Sequence, residues 1–363
     1  MTRSQQARLV VWLTVAVAGG LIGYFYTALS YPLTGVEGAP PLRGMRAGFM
    51  IAAATSWFEI FAMRGPVGRW LKAKPLSVSL VVRLLIHTAM IVGLLQFNIR
   101  IVSFPGVDIG NVYRPKDMVQ DVAFSLLAMS AVLFVIQMRQ LVGPRTFRNL
   151  LTGRYHQPRS EERIFAIFDI AGSTAIAGKL GDEDFHAFVS QVFFDIDAPI
   201  VDDGGEVMSF VGDALIANWP LCAPERNACA IGAAFRVMDV LEARAQDYLH
   251  RFGVTPRLRA VLHGGPVVAG ETGDSRRQIT YLGDVLNVAS RIEAVAKQTG
   301  AVIVISDSLL ARCELPEGVA VRALGSYDLK GVSGPVPVSE LAAEAGKGDV
   351  PKVAIAAGAH PAS

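Results

Sequence analysis

Hydrophobic and polar positions divide the chain into two regions of different character. In the first, four apolar stretches at 9–29, 45–63, 78–97 and 119–138 are separated by short connections that carry Pro and Gly. Each approaches the ~20 residues a helix needs to cross the hydrocarbon of a bilayer, so the pattern predicts an all-α transmembrane four-helix bundle over residues 1–138. The second stretch fits least well, because Glu59 interrupts it. Residues 139–162 are polar and basic and read as a cytoplasmic coupling linker. From 163 to 342, strand-like runs (163–169, 206–211, 214–219, 257–262, 301–305) alternate with helix-like ones (174–200, 224–250, 284–299). This alternation predicts an α+β domain with helices packed on a sheet. At ~180 residues it is long enough to bury a core of its own. The last segment, 343–363, is rich in Ala, Gly and Pro, a composition that predicts disorder.

Composition agrees with a membrane segment beside a soluble one: 52% of residues are hydrophobic and only 18% charged. The net charge of +2 gives no support to a nucleic-acid partner. Cys222, Cys229 and Cys313 form no metal-ligand spacing, and an odd count fits reduced thiols in the cytosol. Basic residues set an orientation. Arg3 and Arg8, then Arg64, Arg69, Lys72 and Lys74, then the run from Arg139 to Arg163 all fall on one side of an even-span bundle. They outnumber Arg43, Arg46, Arg100, Arg114 and Lys116 on the other, which predicts both termini on the cytoplasmic side of the inner (plasma) membrane. The first stretch lacks a clear cleavage site and reads as an anchor in the lipid bilayer.

Four motifs carry candidate chemistry. In FAIFDIAGST an apolar strand ends at Asp169, and Gly172-Ser173-Thr174 opens a helix. A carboxylate beside free helix N–H groups suits a metal bound to phosphate, although such a residue is often only a cap. In FVGDALIA, Gly212-Asp213 reads as a hairpin turn. A strand–helix–strand path returns the chain beside its start, and the two carboxylates could then hold two divalent ions together. In QITYLGDVLNVASRIE, Asn287 and Arg291 are four apart and share a helix face, which is equally the pattern of a solvated surface. Leu329-Lys330-Gly331 reads as a strand end and turn.

With LRAVLHGGPVVAG and YDLKG, these motifs stand in the order found in class III adenylyl/guanylyl cyclases, and residues 163–342 resemble that family's catalytic domain. The resemblance implies a ferredoxin-like core and a head-to-tail homodimer with shared active sites. It implies Asp169 and Asp213 as ligands of two Mg²⁺ or Mn²⁺ ions per site, with the Ile170 carbonyl as a further ligand. Arg291 then stabilises the α-phosphate in the transition state, Asn287 positions the ribose, and Arg259 and Lys330 hold the β- and γ-phosphates. One domain supplies the aspartates and its twin supplies Asn287, Arg291 and Lys330. Ser209 and Thr280 occupy the base-reading positions. Thr280 fits the Thr-bearing adenylyl subgroup. Ser209 is neither the Lys expected of that subgroup nor the Glu with which guanylyl cyclases read guanine. ATP is therefore the implied substrate, with a guanylyl cyclase and a catalytically silent cyclase-fold receptor as the alternatives.

Glu59, Arg83 and His87 fall inside the apolar stretches. Charges there normally face a partner, and a Glu59–Arg83 pair joining two helices is the simplest reading. The sharper one is a pocket that senses a membrane or periplasmic ligand.

Overall fold

The structure, a computed structural model, describes residues 3–34, 41–72, 74–101, 115–142, 147, 149, 152–274, 278–332 and 334–344. They belong to two compact units, Met1–Phe147 and Arg148–Ser363. The tail predicted to be disordered lies outside the described residues from 345 onward.

The first unit contains α1 (Arg3–Thr34), α2 (Pro41–Ile60), a 3-10 turn (Ala62–Arg64), α3 (Pro66–Lys72), α4 (Leu76–Ile101) and α5 (Pro115–Val142). Three segments, Arg8–Ser30, Val78–Asn98 and Met118–Val135, are long and apolar enough to cross a membrane. The second stretch does form a helix, α2, but with Arg43, Arg46 and Glu59 it is not among those three. What α2 does instead is pack closely on α1. Gly19 and Gly23 face Gly44 and Gly48, and a Cβ at Gly23 would stand 2.2 Å from the Gly44 carbonyl oxygen. Small residues spaced four apart let two helix backbones approach to this degree. Ile51, Ile91, Leu95 and Met129 then tie α2, α4 and α5 into one cluster.

The second unit runs β1 (Arg159–Ile170), α6 (Ser173–Leu180), α7 (Asp182–Asp202), β2 (Glu206–Val211), β3 (Ala214–Pro220), α8 (Pro224–Ala243), α9 (Ala245–Phe252), β4 (Leu258–Thr272), β5 (Gln278–Leu282), α10 (Asp284–Thr299), β6 (Ile303–Ser306), α11 (Asp307–Leu310), β7 (Val319–Tyr327) and β8 (Val336–Ala343). Its mixed sheet has the order β2-β3-β1-β4-β6-β8-β7, with β5 paired to β4. The first four strands and their helices form a βαββαβ unit of ferredoxin-like topology. Ile164, Ala166, Phe168 and Ile170 of β1 enter the main core with Phe188, Val192 and Ile196 of α7 and Ile231 of α8. Phe165 turns to the opposite face, where it meets Val285 of α10. Because β1 is buried on both faces, it reads as an unbroken apolar run. The two-residue period puts Asp169 on the same face as Phe165, under α10.

Several expected elements differ. The helix expected over 174–200 is two helices, because Gly181 (φ 79°) breaks it. That over 224–250 is broken at Arg244. The strand expected to end at 262 continues to Thr272, and β5, β7 and β8 complete the sheet.

Candidate active site

Asp169 lies next to the end of β1, opposite Ala214, the first residue of β3. Asp213 is therefore carried by the β2–β3 hairpin to a position beside it, and the Ile170 N–H donates to the Asp213 carbonyl at 3.4 Å. Gly212 makes the turn possible by taking φ 60°, a conformation that costs glycine little. On the other side of β1, Arg259 of β4 stands opposite Asp169, and its guanidinium lies 3.8 Å from the carboxylate. The Asp169 side chain is buried, and Lys297 Nζ of α10 approaches its Oδ2 at 3.1 Å while also pairing with Glu293 at 2.6 Å. Burial holds the Asp169 carboxyl above its ordinary range, with Glu293 and Asp213 adding to the effect and Lys297 opposing it. A buried carboxylate with acidic neighbours calls for more positive charge than the two side chains supply. Its donors are hard oxygens, which suits Mg²⁺ or Mn²⁺. Among the described residues no group of three or more His, Cys, Asp or Glu could complete a metal site. The remaining ligands would have to come from backbone carbonyls, water and substrate.

Gly172 (φ 73°) follows at once and serves as N-cap of α6 without a side-chain cap, leaving Ser173 and Thr174 at the head of the helix beside Asp169. Helix N-termini of this kind attract phosphate.

Helix α10 organises the rest. Its buried stripe is Val285, Val288, Ala289, Ile292, Val295 and Ala296, and Val288 and Ile292 pack on Val261 of β4. At 3.6 residues per turn, Asn287 and Arg291 fall on one flank of this stripe, and Glu293 and Lys297 on the other. The Arg291 guanidinium reaches the turn that follows Lys330: a Cβ added to Gly331 would stand 3.5 Å from it. The structure thus gathers Asp169, Asp213 and Arg259 at one place, and Arg291 with the Lys330 turn at another. No ion pair joins the two groups among the described residues.

Ser209 sits at a β-bulge in β2, opposite Ile216. Thr280 lies on β5, its hydroxyl 2.6 Å from that of Thr272. Their neighbours Met208 and Tyr281 both pack on the cluster around Phe165, although β3, β1 and β4 separate β2 from β5 in the sheet. In the helical unit, Glu59, Arg83 and His87 do meet: Arg83 lies 3.5 Å and His87 3.7 Å from the Glu59 carboxylate. Sequence reasoning missed Glu293 and Lys297. Their four-residue spacing is visible, but it is also that of any solvated pair on a helix.

A ferredoxin-like sheet with paired aspartates at the β1 and β3 ends defines the catalytic domain of a class III nucleotidyl cyclase. Residues 157–340 match the adenylate and guanylate cyclase catalytic domain, and the chain belongs to that family. It is 35% identical to adenylate cyclase 2 of Rhizobium meliloti (strain 1021) over 226 residues, 62% of each chain. To the adenylate cyclase of Anabaena cylindrica it is 29% identical over 210 residues, 56% of this chain and 40% of that one. The chain therefore spans less than two thirds of the length of either relative. The fold is similar to that of a bacterial light-regulated adenylyl cyclase, with a TM-score of 0.51 and 20% identity over 61% of this chain and 66% of the other. At that identity the likeness speaks for the fold alone.

Proposed function

We propose that this protein is a membrane-anchored adenylyl cyclase that converts ATP into 3′,5′-cyclic AMP and pyrophosphate. The observation that carries the reading is the convergence of Asp169, Asp213 and Arg259 at the ends of adjacent strands, on a face crossed by α10. Asp169 and Asp213, with the Ile170 carbonyl, are the residues that would hold two Mg²⁺ or Mn²⁺ ions. Bound ions supply Lewis acidity, lowering the pKa of the ribose 3′-OH and neutralising the triphosphate. Arg259 and Lys330 hold the β- and γ-phosphates, aided by the amides at Gly172, Ser173 and Thr174. Asn287 orients the ribose so that its 3′-oxygen faces the α-phosphorus in line. As the new P–O bond forms and pyrophosphate leaves, Arg291 stabilises the charge that develops on the α-phosphate. Ser209 and Thr280 face the base, and the Thr280 hydroxyl can pair with the adenine edge.

The separation of the two groups within one chain supports a head-to-tail homodimer. Each of two shared sites then takes the aspartates and Arg259 from one protomer, and Asn287, Arg291 and Lys330 from its twin. The helical unit, in this reading, crosses the inner membrane four times with both termini in the cytoplasm, α2 being held in place by α1. Glu59, Arg83 and His87 join α2 to α4 inside it. A charge at the bilayer centre costs roughly 2.5–3.5 kcal/mol unless it finds a partner, and the Arg83–Glu59 contact at 3.5 Å supplies one. Through these helices a membrane or periplasmic signal regulates the cyclase.

The deciding experiment supplies Mn²⁺ and either ATP or GTP to the detergent-solubilised full chain. The expected result is cyclic AMP, with kcat/KM for ATP about fivefold or more above that for GTP; a serine at the base-reading position leaves few unmade hydrogen bonds with which to reject GTP. A reversed preference makes it a guanylyl cyclase. Nucleotide binding without turnover makes it a silent receptor.

A further inference from the structure

Between α1, α2, α4 and α5 lies a cavity of about 210 Å³ whose walls are largely apolar, with Val15, Ile22, Ile51 and Val132 among them. One end is different. There Arg43, Asn98, Asp121 and Tyr26 line it together. Asn98 is 4% exposed, its Oδ1 accepts from Arg46, and its Nδ2 has no hydrogen-bond partner. Asp121, the carboxylate at this end, accepts from the Tyr26 hydroxyl at 2.7 Å. The polar end thus carries one carboxylate, Asp121, against the Arg43 guanidinium, with Arg46 held beside them by Asn98, so donors and positive charge outweigh the single acceptor. Buried polar groups without partners are rare enough in native proteins to need an explanation.

We propose that this cavity binds an amphiphile from the membrane, a single apolar chain ending in anionic oxygens, with the head group accepting from Asn98 and Arg43 and the chain lying along the apolar walls. The proposal rests on the reading that the helical unit sits in a bilayer, but not on the cyclase chemistry. The cavity is separate from the Glu59–Arg83–His87 group, none of which lines it. Two head groups share the required chemistry, a fatty-acid carboxylate and a lysolipid phosphate.

The test reconstitutes the full chain in nanodiscs of neutral phosphatidylcholine and measures binding of radiolabelled oleate, with oleoyl lysophosphatidate and oleylamine as competitors. The expected result is saturable binding that Arg43→Gln and Asn98→Leu each weaken about tenfold or more, the usual effect of losing a charge-assisted or buried hydrogen bond. Stronger competition by lysophosphatidate than by unlabelled oleate assigns a phosphate head, and the reverse a carboxylate. Oleylamine, with its charge reversed, should not compete. Unsaturable uptake, variants that bind like the unsubstituted chain, or effective competition by oleylamine would each overturn the proposal. Arg43→Gln leaves the Arg46–Asn98 contact intact, and thermal unfolding of each variant in detergent reports whether the helical unit still folds.

Discussion

Lys297 Nζ lies 3.1 Å from Asp169 Oδ2, so a lysine of the same chain sits against the carboxylate assigned to metal binding. In the proposed reading this ammonium already neutralises part of the carboxylate charge that a metal ion would use, and it repels a cation bound beside it. Lys297 is about half exposed, so the pair is worth no more than ~1 kcal/mol. Lys297→Met should therefore bind Mn²⁺ about fivefold more tightly in the absence of nucleotide. Titration of the nucleotide-free protein followed by Mn²⁺ electron paramagnetic resonance reads this directly. Equal or weaker binding would remove the competition.

Mixing variants examines the shared-site arrangement. Asp213→Ala and Arg291→Ala should each lose activity by about a thousandfold or more, as expected where positioning and electrostatics carry phosphoryl chemistry. Co-expressed, the two should recover up to about a quarter of normal turnover, because half of the dimers are then mixed and each mixed dimer rebuilds one intact site. A mixture as inactive as its parts would rule out sites shared between chains.

Packing in the helical unit makes a separate prediction. A Cβ at Gly48 would stand 2.2 Å from the Gly19 carbonyl oxygen, and one at Gly23 an equal distance from that of Gly44. Gly48→Leu should push α1 and α2 apart at a cost of about 1–3 kcal/mol or more. Thermal unfolding in detergent should show a lower midpoint for Gly48→Leu but little change for Gly93→Leu, where a Cβ would meet nothing within 4 Å. Similar shifts for both would mean that the close approach contributes nothing.

His263 supplies a pH dependence. Its ring shares a hydrogen bond with Ser306 at 2.7 Å, and burial pushes it down to about 4. A base whose folded value lies below its unfolded ~6.5 binds protons more readily when unfolded, so stability falls as pH drops from about 6.5 toward 4 and levels off below. Between pH 6.5 and 5 the loss is about 2 kcal/mol at most. Calorimetry of the full chain should find His263→Asn less sensitive to acid than the unsubstituted protein across that window. Parallel profiles would assign the acid sensitivity to other groups.

Much of the catalytic region is legible in the sequence, for identifiable reasons. The run up to Asp169 reads as a strand because both faces of β1 are buried, and Gly212-Asp213 reads as a turn because the strands on either side alternate about it. The continuation of β4 does not, since Gly264, Gly265 and Pro266 read as a turn. Pairing with β1 overrides that local preference, and the glycines are there for close approach: a Cβ at Gly265 would stand 3.0 Å from Val285 of α10. Gly181, followed by Asp182, Glu183 and Asp184, carried a readable helix start that periodicity alone runs through. The spacing of Gly19, Gly23, Gly44 and Gly48 is plain in the sequence, but which helix each pair faces is not. The contact of Lys297 with Asp169 is a product of tertiary packing, and no local pattern announces it.

Helix α10 is unbroken from Asp284 to Thr299, and its two flanks carry opposite loyalties. A twist about its axis that swings Lys297 clear of Asp169 must carry Arg291 and Asn287 through the same angle, since nothing in the rod can absorb the difference. In the proposed dimer, an ion that entered the aspartate pocket by turning the helix, rather than by swinging the Lys297 side chain alone, would re-aim the side chains that protomer lends to its twin. Loading of one pocket would by that route be felt at the other.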